Sequence, residues 1–166
     1  MSVQPIISVL EKLEKMHKSL FELAIQKTEI VKKGDMDELD TMLKNEQSHI
    51  AAIEQLEQQR QQLVMDYLDA KGIVFADTPT VLDVIEAADL EHEREQLTSV
   101  RERLMSVIDD LRKQNDLNQK LVFQSLQFVH MTLDMMRPNQ EQMNYSGKVA
   151  NTNNAMSKKS LFDSQA

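Results

Sequence analysis

Apolar residues recur at alternating steps of three and four from Gln4 to Lys33. They fall on two adjacent seams, Ile6–Leu10–Leu13–Leu20–Ala24–Val31 and Val9–Leu13–Met16–Leu20–Leu23–Ile30. A stripe of that width predicts an amphipathic helix facing two partner helices. Pro5 suits its first turn and Gly34 its C-terminal stop. Asp35, followed three residues later by Glu38, has the spacing of a capping box and opens a second helix to about Lys71. So short a break makes the second helix run antiparallel to the first. Its apolar face carries Leu39, Leu43, Ile50, Ile53, Leu56, Leu63, Val64 and Tyr67. Gly72-Ile73 reads as a helix stop with its apolar contact.

Residues 73–78 read as a loop, and Thr78-Pro79 as the start of a short helix to about Ala88. A third long helix then runs from Asp89 to Arg137, where Pro138 disfavours helical geometry in the residue before it. Its seam includes Leu97, Val100, Leu104, Val107, Ile108, Leu111, Leu121, Val122 and Val129. Beyond Pro138 the chain turns to Asn, Gln, Ser and Lys and is too poor in apolar residues for a core. The expected fold is all-α: an antiparallel, coiled-coil-like bundle of three long helices with a short connecting helix and a flexible C-terminal tail. The expected domains are a helical bundle over 1–138 and the tail over 139–166, with sticky islands at Met143–Tyr145 and Leu161–Phe162.

Composition supports the helices: among 166 residues there are three glycines, three prolines and seven aromatics, too few for a sandwich or a doubly wound sheet. The net charge of −8 argues against nucleic acid as a partner, because such binding rests on neutralising phosphates. The tail carries +1 from Lys148, Lys158 and Lys159 against Glu141 and Asp163, leaving −9 on the helical part. The absence of cysteine excludes disulfides, thiol catalysis and Cys-ligated metal centres. The N-terminus lacks the pattern of a signal peptide, and the stretch from Leu121 to Leu133 is too short to span a bilayer. A cytoplasmic protein without membrane insertion is expected.

Helix lengths of roughly 45, 55 and 73 Å expose a mismatch. In an antiparallel stack the third helix reaches the hairpin top near residue 125, and its last dozen residues extend roughly 18 Å further. That end is apolar on most sides: Leu121, Val122, Phe123, Leu126, Phe128, Val129, Met131, Leu133, Met135 and Met136. Such a helix is covered by a partner, by the tail or by a second copy, and methionines suit an adaptable surface. The same stacking puts Lys27, Glu46, Asn115 and Asn118 within roughly 10 Å along the axis, as a polar layer that fixes register.

Chemistry finds little support. Glu14-x-x-His17 and Glu46-x-x-His49 have the spacing used in di-iron bundles, but the two pairs miss each other by about 8 Å in the simplest hairpin. His92 lacks the second histidine of a zinc-protease helix. Arg60 is expected to pair with Glu57 or a glutamate of the first helix. No enzyme, cofactor or metal is expected.

The run Leu20–Leu23–Lys27–Val31–Gly34-Asp35–Leu39–Glu46, then Arg60, then Asn115-x-x-Asn118-x-x-Leu121 resembles the FlgN family of flagellar export chaperones. The resemblance covers about Leu10 to Met136. It implies a non-enzymatic protein of the flagellar type III pathway that binds hook-associated proteins of the hook–filament junction, prevents their premature assembly and delivers them to the export gate. It also implies cargo binding towards the C-terminal part. That role falls on Leu121, Val122, Phe123, Leu126, Phe128, Val129, Leu133, Met135 and Met136. Tyr145 is a candidate contact for the export gate or a lid over the apolar helix. The alternatives are a helical adaptor or coiled-coil protein that self-associates, including as a homodimer, and a metallo-oxidase.

Overall fold

The computed structural model describes residues 2–75 and 77–137, and they form four helices: α1 (Gln4–Lys33), α2 (Met36–Ala70), α3 (Val81–Ala87) and α4 (Glu91–Met136). The expected all-α architecture is present, with no strand among the described residues. The tail, its two sticky islands and Tyr145 lie outside them. Contacts divide the chain into one unit over residues 1–127 and a second that begins at Phe128.

Local chemistry sets the ends. Gly34 adopts φ 72°, and its N–H reaches the carbonyls of Ile30 at 3.0 Å and Val31 at 3.2 Å. Only a residue without a Cβ takes that left-handed turn at little cost. Asp35 caps α2 by accepting from the Glu38 N–H at 3.0 Å. At the other end of α2, Ile73 N–H reaches Leu68 O at 3.0 Å and Gly72 N–H reaches Asp69 O at 2.9 Å, a Schellman stop.

The short helix starts later than Thr78-Pro79 suggested. Thr80 is its N-cap and donates to the Asp83 carboxylate from its N–H at 2.6 Å and its hydroxyl at 2.8 Å, while Pro79 is buried just outside. α4 likewise begins at Glu91 rather than Asp89. Lys71 spans this junction: its ammonium donates to Ala87 O at 2.7 Å, binds the Asp89 carboxylate and sits 5.4 Å from the centre of the Tyr67 ring. The Asp89 bond raises the Lys71 pKa, and the same bond holds Asp89 below its usual range.

Within residues 1–127, α1 and α2 form the hairpin and α4 runs in the direction of α1. Gln4 meets Gln96, Glu14 meets Arg103 and Ala24 meets Asn118, a register offset near 90 throughout. The larger core lies at the end away from the hairpin turn. Val3, Ile6, Leu10 and Leu13 pack there against Val64, Tyr67 and Leu68 of α2, Leu97 and Val100 of α4, and Val81 and Val84 of α3. A smaller core at the hairpin end joins Leu20, Leu23, Ala24, Ile30, Met42 and Leu111. The expected α2 face is only partly covered. Val64 and Tyr67 are buried, Leu39, Ile53, Leu56 and Leu63 are half-buried, and Leu43 and Ile50 are exposed, while Met42 and Leu68 complete the buried set.

Candidate functional site

From Val122 onward α4 shows solvent its large apolar residues. Val122, Phe123 and Leu126 belong to the first unit; all three are exposed, Phe123 at 61%. Leu121, on the same turn, is half-buried. In the second unit Phe128 is 71% exposed and Met135 83%, and Val129, Met131, Leu133 and Met136 are exposed as well. Leu97, on the earlier part of the same helix, is wholly buried. Exposed apolar side chains in such number are a feature of surfaces suited to a partner.

The first unit holds a groove of about 470 Å³ whose lining comes from three helices. Leu20 of α1 and Ile50 of α2 face Val122, Phe123 and Leu126 of α4, and Lys27 and Glu46 contribute its charged pair. Lys27 Nζ donates to Glu46 at 3.0 and 3.3 Å, joining α1 to α2 in a half-buried ion pair.

The four residues of the expected polar layer therefore meet at one level but divide into different environments. Asn118 is buried: its Nδ2 donates to Ala24 O at 2.8 Å, and its Oδ1 accepts from the Thr28 hydroxyl. Gln114 Nε2 donates to Thr28 Oγ1 at 2.7 Å and completes the network that joins α1 to α4. Asn115 departs from the expectation of a buried layer: it is exposed and lines the groove. Two residues one position apart on α1 thus serve two joints, Lys27 towards α2 and Thr28 towards α4. Thr28 and Gln114 escaped the sequence reading. Their signal was spacing, one residue after Lys27 and four before Asn118.

The other titratable constellations are tied to neighbours. Glu14 is buried and bound by Lys18 at 2.7 Å and Arg103 at 3.1 Å. The Lys18 bond foremost, with Arg103, holds its carboxyl below the usual range against the opposing effect of burial. The Glu-x-x-His pairs do not converge. His17 Nδ1 faces Leu13 O at 2.8 Å, His49 Nδ1 faces Asn45 O at 2.9 Å, and His49 Nε2 meets Ser19 Oγ at 2.8 Å. Arg60 pairs with Glu57 at 2.8 Å, as its spacing suggested. Among the described residues no three of His, Cys, Asp and Glu are grouped to hold a metal ion, and no helix is long and apolar enough to cross a membrane.

Compared with known proteins, residues 1–153 match the family model described as FlgN protein. The chain is 34% identical over 166 residues to the uncharacterized protein YvyG of Bacillus subtilis (strain 168), with the whole of both chains covered. No solved structure matches it.

Proposed function

This chain belongs to the FlgN family of flagellar export chaperones, and from that we infer that it binds hook-associated proteins of the hook–filament junction in the cytoplasm, holds them unassembled and delivers them to the type III export gate. The observation that carries this reading is the run of exposed apolar side chains on α4, from Val122 to Met136. Proteins that polymerise through amphipathic helices carry apolar faces that remain unpaired until assembly. A chaperone that covers such a face needs an apolar, adaptable surface of its own, and helix-in-groove docking supplies it without chemistry. Leu121, Val122, Phe123 and Leu126 in the first unit, and Phe128, Val129, Leu133, Met135 and Met136 in the second, are the residues assigned to cargo.

Affinity-tagged chain, recovered from the cytoplasm of its own flagellated host and analysed by mass spectrometry, tests the reading. Stoichiometric hook-associated proteins are expected in the eluate. An eluate with none of them, and a chain that elutes as its own dimer, would overturn it in favour of a self-associating helical protein.

A further inference from the structure

We propose that the groove between α1, α2 and α4 seats one amphipathic cargo helix and that the side-chain amide of Asn115 reads a neutral polar residue on it. The proposal rests on the chaperone reading above and extends the cargo surface to residues outside the apolar end of α4.

The two ends of the first unit differ in what completes them. Away from the hairpin turn, the core of the three long helices is completed by a fourth element: α3 adds Val81 and Val84, three residues apart, to the cluster around Leu10, Val64 and Leu97. At the hairpin end no described element takes that part. The groove stays open there between Leu20, Ile50, Phe123 and Leu126. Its α4 lining runs from Asn115 to Leu126, a stretch of about 16 Å, or three helical turns. An added helix with apolar residues at steps of three and four matches that length and periodicity, as α3 does at the other end.

Charge narrows the occupant further. Lys27 and Glu46 neutralise each other within the groove at 3.0 Å. A charge laid over them finds no free counter-ion and loses its hydration. The buried face of the occupant is therefore apolar or neutral polar. Asn118 has both ends of its amide engaged inside the protein, with Ala24 and Thr28. Asn115, about 60° round the helix, lines the groove, and its amide makes no hydrogen bond among the described residues. Covering that amide with a purely apolar helix would strand a donor and an acceptor, so it selects a helix that carries a complementary Asn, Gln, Ser or Thr.

Calorimetry of the full chain against a purified hook-associated protein of the same bacterium tests this. Ile50→Asp is expected to weaken binding roughly thirtyfold or more, as for a central interface anchor. Asn115→Leu is expected to weaken it about fivefold, the worth of a neutral hydrogen bond. A benzophenone amino acid in place of Ile50 is expected to crosslink to the hook-associated protein on irradiation, a readout that holds even where a charge at that position disturbs the hairpin. Wild-type affinity in Ile50→Asp together with no crosslink would overturn the groove as the seat and leave the chaperone reading standing. A wild-type chain that binds no hook-associated protein would overturn both.

Discussion

The two ends of residues 1–127 are built from the same three long helices and differ in how completely they close. The largest wholly buried side chains all lie at the closed end: Ile6, Leu10, Leu13, Leu68 and Leu97, with Val3, Val64, Val84 and Val100. At the hairpin end the core is smaller, and part of what joins the helices there is polar: Lys27 to Glu46, and Asn118 to Ala24 and Thr28. Between Met42 and Val64, α2 contributes no buried residue at all. Apolar burial stabilises by about 25 cal/mol per Å² removed from water, so most of the folding free energy resides at the closed end. The hairpin end leaves large apolar side chains, among them Ile50, Phe123 and Leu126, exposed to solvent. On the proposed reading, stability and recognition are divided along one bundle, so that a partner is gained or lost without unfolding the chain.

Substitutions that separate the two ends sharpen this division. The largest effect is expected for Leu68→Ala, which opens a cavity in the closed end and should cost about 3 kcal/mol in urea denaturation. Asn118→Ala should cost about 2 kcal/mol by the same measurement, because it removes a buried amide bound to both Ala24 and Thr28. A loss below that of Ile50→Ala would show that the Asn118 network does not hold α4 to α1. Gly34→Ala should cost about 1 kcal/mol, all of it from backbone conformation, since a Cβ there meets nothing within 4 Å. Ile50→Ala is expected to be the mildest of the four, within about 0.5 kcal/mol, because its side chain is already exposed.

Acid provides another probe of the same division. Lys18 and Arg103 hold the Glu14 carboxyl below its usual range, so the unfolded chain takes up this proton at a higher pH than the folded chain does. The stability this group contributes is complete above the ordinary glutamate pKa of about 4.3 and is lost as pH falls through the lower, folded value. Glu14→Gln should therefore lower the thermal midpoint at pH 7 and flatten its decline between neutral and acid pH. A decline as steep as in the wild type would place the acid-sensitive contact elsewhere.

Much of this architecture was legible in the sequence because local chemistry decides it. Gly34, Asp35 and Gly72-Ile73 end and start helices at the expected places, and the double seam of α1 is buried largely as its width implied. The onset of α3 was not legible: Thr78 and Thr80 both suit an N-cap, and the two bonds that Thr80 donates to the Asp83 carboxylate decide between them. The exposure of Leu43 and Ile50 was hidden for another reason. A seam shows that a face is apolar, but not whether the helix opposite is near enough to cover it. Asn115 and Asn118 present the same problem on α4. They differ by about 60° on the helix, and only the rotation of α4 against α1 determines which of them is buried. The apolar end of α4 was evident from composition and length, whereas the contributions of Leu20 and Ile50 to a groove with Val122, Phe123 and Leu126 required the three-dimensional register.

The central claim is that exposed apolar side chains on α4 hold the cargo. Its most direct test is titration calorimetry of the wild-type chain and the double variant Phe128→Asp, Met135→Asp against a purified hook-associated protein, with thermal melts of both chains alongside. The expected result is saturable binding by the wild type, none by the double variant, and equal melting temperatures, since both side chains are exposed. Equal affinity in the two chains would contradict the claim and move cargo binding away from the end of α4.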